Sequence, residues 1–72
     1  MLYIQKLRQD NNITARQLGR LLCLNPKYVT YKLLKKSDFK VSELEKIKDY
    51  FIQLGIIDQK FEISDFLNEV EE

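Results

Sequence analysis

Residues 14–33, TARQLGRLLCLNPKYVTYKL, decide the fold because they contain two helix starts eleven residues apart. The first start is a capping box, in which the Thr14 hydroxyl accepts a hydrogen bond from the N–H of Gln17 and the Gln17 side chain reaches back to Thr14. Leucines at helical spacing follow this box. We therefore predict a helix over residues 15–22.

The second start comes directly after the short connection Cys23-Leu24-Asn25. Asn25 is a favoured N-cap, and Pro26 suits the first helical position, where its missing N–H is not needed. The pattern predicts a helix over residues 25–34 that includes its cap. Two short helices joined this tightly must cross steeply, as in a helix-turn-helix. Gly19 lies inside the earlier helix, which we attribute to close approach of the later one.

The rest of the chain also has helical signals. Residues 2–11 have helical spacing, Ser42 to Glu45 is a further capping box that opens a helix ending at Gly55, and Ser64 precedes a short final helix. Residues 56–63 are open to interpretation as a strand, a loop or an arm. We predict one all-α domain of four to five short helices, with residues 1–55 as the core bundle and 56–72 as a C-terminal extension.

Composition excludes several classes of protein. The 72 residues are 44% hydrophobic and 32% charged, which is ordinary for one folded domain and unlike disordered or collagen-like chains. No apolar run has the length of a membrane span, and no secretory signal is evident. Without histidine and with a single cysteine, Cys23, we expect no metal site, cofactor or catalytic residue, so the chain is not predicted to be an enzyme.

Cys23 cannot form an internal disulfide, and we expect it to be a small buried residue rather than a reactive thiol. A lone cysteine of this kind is typical of a reducing compartment, so we predict a cytoplasmic protein without a membrane partner.

Charge is distributed unevenly along the chain. Residues 1–40 carry nine Lys or Arg against two acidic residues, whereas residues 41–72 carry three against nine, for a total of +1. The first part is therefore suited to a phosphate-rich partner and the second is not. If Val29 and Leu33 face inward, the helical rotation turns Lys27 and Tyr31 outward, flanked by Tyr28 and Thr30.

Two segments together resemble a known family. Thr14–Gly19 through Leu24–Val29 is similar to the helix-turn-helix of the phage repressor and Cro class, and Lys35–Ile47 resembles that family's loop and fourth helix. The resemblance covers about residues 1–55. It departs at Cys23, where the family usually has Gly, and at Lys32, where it often has an apolar residue.

The resemblance implies a lambda-repressor-like bundle and a sequence-specific DNA-binding transcriptional regulator, of phage or prophage type. Its third helix would lie in the major groove of a double-stranded DNA operator. Base or groove contacts carry over to Asn25, Lys27, Tyr28 and Tyr31. Phosphate contacts carry over to Thr14, Arg16, Gln17, Lys32, Lys35 and Lys36.

An alternative function uses the apolar and acidic C-terminal extension. A small bundle has little room to bury so many apolar side chains, so some are predicted to form an interface. The candidate interface residues are Ile56, Ile57, Phe61, Phe66 and Val70. This interface would support either a homodimer or an antirepressor that binds a partner phage repressor.

Overall fold

Four α-helices and one short 3-10 helix form the regular structure of the chain in the computed structural model, which describes residues 1–71. Glu72, the last residue of the predicted extension, lies outside the described residues. The helices are α1 (Tyr3–Asp10), α2 (Ala15–Leu22), α3 (Pro26–Leu33) and α4 (Val41–Gln53), and the 3-10 helix is Ile63–Leu67. The predicted all-α bundle is thus confirmed. Among residues 1–71, no helix has the length and apolar character needed to cross a membrane.

The first two predicted helix starts are confirmed in detail. Gln17 N donates to Thr14 Oγ1 at 3.1 Å and Thr14 N donates to Gln17 Oε1 at 2.7 Å, which completes the capping box of α2. Asn25 Oδ1 accepts from Lys27 N at 3.0 Å, with Pro26 in the first turn of α3. Both starts depend only on neighbouring residues, which is why the sequence predicts them.

The starts of α4 and of the last helix differ from the prediction. Helix α4 begins after Lys40, whose N–H donates to Glu43 Oε1 at 2.8 Å, so the predicted box from Ser42 to Glu45 is wrong by two residues. Glu43 is buried and ion-paired, and its tertiary contacts select the start. Ser64 lies within the 3-10 helix, which begins after Glu62.

Helices α1, α3 and α4 end in the same hydrogen-bonding arrangement. In each, the residue after the C-cap has positive φ (Asn12 57°, Lys35 65°, Gly55 74°), and the next N–H returns to a carbonyl five residues earlier. For α4, Ile56 N donates to Phe51 O at 3.0 Å. This is the Schellman motif, and it satisfies carbonyls that a helix end would otherwise leave unpaired.

The core joins all four α-helices to the 3-10 helix. Its fully buried side chains include Phe51 of α4 and Phe66 of the 3-10 helix, whose rings meet edge to face with centroids 5.8 Å apart. Phe66 is 0% exposed, so its assignment to a partner interface is wrong. Ile56, Ile57 and Phe61 are partly buried against the same core.

The C-terminal extension folds back over the bundle. Residues 56–62 form turns rather than a strand, and Phe61 stacks on Tyr3 of α1 with ring centroids 6.1 Å apart. Met1 and Val70 then exchange backbone hydrogen bonds of 3.0 and 2.8 Å. Val70 is therefore held against the N-terminus, and the C-terminal extension packs on the core bundle.

Candidate nucleic-acid interface

The corner between α2 and α3 is built by Cys23. This residue has φ 58° and ψ 41°, the left-handed conformation that turns the chain sharply after α2. Leu24 N then donates to Gly19 O at 2.9 Å. Cys23 thus takes the geometry that usually favours glycine, and its side chain is exposed, so the prediction that it is buried is wrong.

Gly19 allows the corner to close. A Cβ atom at this position would lie 2.6 Å from the backbone oxygen of Leu24 and 3.5 Å from Pro26 N. The first distance is far inside van der Waals contact, and it involves backbone that no rotamer change can move. Close approach of the next segment therefore explains a glycine in the middle of α2, as predicted from the sequence.

Helix α3 presents a ridge on the side opposite its buried residues. Val29 and Leu33 are buried, whereas Lys27 is exposed and Tyr28 and Tyr31 are 49% and 40% exposed. The two tyrosine rings meet edge to face with centroids 6.3 Å apart. We call Lys27, Tyr28 and Tyr31 the α3 ridge.

Two lysines flank these rings. Lys27 Nζ lies 5.3 Å from the centroid of the Tyr28 ring, and Lys36 Nζ lies 6.0 Å from that of Tyr31. Both distances are in the range of cation–π attraction, which contributes about 0.5–1 kcal/mol at exposed sites. The ridge therefore combines apolar area with positive charge at both ends.

The other predicted groove residue, Asn25, is exposed at the start of α3. Its Oδ1 accepts the N–H of Lys27 as the helix cap. An amide that contacts an adenine edge bidentately uses both its oxygen and its nitrogen, and here one of the two lone pairs of the oxygen already accepts from Lys27. Asn25 thus keeps its amide nitrogen for another partner.

The N-terminal end of α2 places Thr14, Arg16 and Gln17 at the surface. Thr14 and Gln17 cap one another, while the helix dipole makes this end favourable for an anion. Arg20 is also exposed and lies one turn after Arg16, so the two guanidinium groups share a helix face. Arg20 is not among the predicted phosphate contacts, although its i,i+4 spacing from Arg16 is visible in the sequence.

Lys32 does not belong to the surface set. Its residue is 8% exposed, and its Nζ donates to Glu43 Oε1 at 2.8 Å and to Asp38 O at 2.9 Å. The predicted phosphate contact by Lys32 is corrected: its ammonium is held inside the protein. The reason is position, because residue 32 lies three residues after Val29 and therefore on the inward face of α3.

Glu43 is the partner that makes this burial possible. Burial alone would raise the pKa of its carboxyl, but hydrogen bonds from Lys32 Nζ and from the Lys40 N–H outweigh that effect and lower the pKa. The pair fixes the loop after α3 to the start of α4. Glu43 is itself buried, at 9% exposure, on the side of α4 that faces α3.

The basic loop after α3 supplies two further candidates. Lys36 is exposed beside Tyr31, whereas Lys35 forms an ion pair with Glu69 near the C-terminus. The hydrogen bond from Lys35 lowers the pKa of the exposed Glu69 carboxyl, and the N-terminal amine adds to it from 3.4 Å. Part of the acidic extension thus neutralises the basic loop.

The described residues contain no group of three or more His, Cys, Asp or Glu side chains able to hold a metal ion. Comparison of the chain with protein-family models, with curated proteins and with solved structures found no match.

Proposed function

We propose that this protein is a sequence-specific DNA-binding transcriptional regulator that inserts α3 into the major groove. The observation that carries the proposal is the α3 ridge, which stands clear of the core on a helix held at a sharp corner to α2. An α-helix fits the major groove of B-DNA, and a helix-turn-helix presents its second helix in this way.

The charged groups around the ridge fit the same proposal. Arg16 and Arg20 of α2, with Lys27 and Lys36 beside the tyrosines, are exposed cations suited to phosphate. Such contacts orient a protein on the duplex, and the ridge is then left to contact base edges. The N-terminus of α2, where Thr14 and Gln17 are exposed, would face the phosphate backbone of the same duplex.

The structure supports the antirepressor alternative less than the sequence does. Phe66 is fully buried, and Ile56, Ile57 and Phe61 pack on the core, so among the described residues of the extension Leu67, at 43% exposure, is the one large apolar side chain that is more than a third exposed. We therefore do not propose homodimerisation or binding to a partner repressor through these residues.

The test is a binding assay with a site selected from a randomised duplex library. Fluorescence anisotropy then compares that site with a scrambled duplex over a range of salt. With about four phosphate contacts, affinity should fall roughly 150-fold between 50 and 200 mM salt. Equal binding to both duplexes at every salt concentration contradicts a sequence-specific regulator.

Matched variants assign the binding to α3. Lys27→Ala and Tyr31→Ala should each weaken the preference for the selected site, and the double variant should remove it, while the helical circular dichroism stays unchanged. Lys46→Ala, which also deletes one exposed lysine but on α4, should leave the preference intact. If Lys46→Ala is as damaging as Lys27→Ala, α3 is not the reading helix.

A further inference from the structure

The exposed side of α3 is poor in groups that read a base edge by paired hydrogen bonds. Its sequence, PKYVTYKL, contains no Arg, Gln or Asn, and the second lysine is buried against Glu43. The preceding Asn25 uses its oxygen as the helix cap. Bidentate contacts to adenine need an amide fork, and for guanine the exposed Lys27 ammonium is the one group of α3 able to donate to both O6 and N7.

What α3 offers in place of forks is aromatic surface. Tyr28 and Tyr31 are three residues apart, so they lie side by side along the helix. Their rings pack edge to face at 6.3 Å, and a lysine lies over each of them. The two rings form an aromatic surface, 49% and 40% exposed, on the side of α3 that faces the groove in the proposed function.

The major groove contains one apolar group on its base edges, the C5-methyl group of thymine. We infer that Tyr28 and Tyr31 recognise thymine methyl groups, so that the preferred duplex carries thymines where the two rings meet the groove floor. This inference rests on the proposed function, since it requires α3 to enter the major groove. It adds the chemical feature that α3 reads.

Deoxyuridine provides the direct probe, because it keeps every hydrogen-bonding group of thymine and lacks only the methyl group. The selected duplex is compared with copies in which single thymines are replaced by deoxyuridine. Loss of one buried methyl should weaken binding about fourfold, and loss of two about fifteenfold. Replacement of thymines outside the footprint serves as the control and should change nothing.

Variants connect the methyl effect to the rings. Tyr31→Phe and Tyr28→Phe keep the ring and should retain the preference for thymine over deoxyuridine. Tyr31→Ala and Tyr28→Ala should bind the two duplexes with nearly equal affinity at the position each ring contacts. Circular dichroism of each variant verifies that α3 has folded.

The outcomes separate the two proposals. If the wild-type protein prefers its selected site but binds thymine and deoxyuridine duplexes equally, methyl recognition is wrong and the DNA-binding function stands. A methyl preference that persists in both alanine variants also overturns the assignment to these rings. Failure to bind any duplex above the scrambled control contradicts the proposed function itself.

Discussion

Lys32→Met is expected to be among the most destabilising single changes in the protein. It removes the ammonium from Glu43 and leaves a carboxylate that is 9% exposed with only the Lys40 N–H as donor. Breaking a buried ion pair in this way costs about 3 kcal/mol, a large part of the roughly 4–10 kcal/mol expected for a domain of this size. The urea midpoint should fall by about 2–3 M.

The double variant Lys32→Met with Glu43→Leu keeps the prediction testable if the single variant does not fold. Replacing both charges with apolar groups removes the unpaired carboxylate, so stability should recover by about 2 kcal/mol or more. The exposed pair Lys6–Asp10, at 3.4 Å on α1, is the matched control, and its coupling should stay below about 0.5 kcal/mol. Equal coupling energies for the two pairs would refute the reasoning.

The pH dependence gives an independent measurement of the same pair. Because the folded pKa of Glu43 is lowered, its contribution is present above its unfolded pKa and lost as pH falls through the folded pKa. In Lys32→Met, burial without the ammonium should raise that pKa, so acidification toward the unfolded pKa should stabilise this variant. Comparison with Glu43→Gln, which lacks the titrating group, isolates the effect from other carboxylates.

Three further changes test the corner and the C-terminus. Gly19→Ala should lower the free energy of unfolding by about 1–2 kcal/mol because the Cβ of the alanine meets Leu24 O. At an ordinary helical site the same change would raise the free energy of unfolding by about 1 kcal/mol, so the direction of the shift in melting temperature distinguishes the two cases. Cys23→Gly should raise the free energy of unfolding by about 0.5–1 kcal/mol, since glycine adopts positive φ without strain. An unchanged or lower melting temperature would contradict this expectation. Glu69→Gln should free Lys35 for phosphate and steepen the salt dependence of DNA binding by about 0.9 in log–log slope, whereas Glu71→Gln should not.

Local signals in the sequence predict the helix-turn-helix well. The cap residues Thr14 and Asn25 act on N–H groups two or three residues away, so no knowledge of the tertiary structure is needed. The role of Gly19 is also predictable from the sequence, because a glycine inside a helix indicates that another segment approaches closely. The exposed positions of Lys27 and Tyr31 follow from helical rotation once Val29 and Leu33 are taken as buried.

The wrong predictions for Lys32 and Phe66 concern residues whose burial is decided by residues distant in the sequence. A lysine at position 32 suggests a surface charge, and only Glu43, eleven residues later, makes its burial favourable. The apolar extension suggests a docking surface, but Phe66 completes the core beside Phe51. A contact of this kind is fixed by the path of the whole chain and has no periodic signal in the sequence.

The central claim, that the α3 ridge contacts DNA, is tested most directly by NMR titration of the ¹⁵N-labelled protein with its selected duplex. The largest amide shifts should fall on Lys27, Tyr28 and Tyr31, with smaller ones at the start of α2 and little change at Ile56–Val70. Shifts concentrated on Ile56–Val70, or changes seen only when a partner protein is added, would contradict DNA recognition by α3.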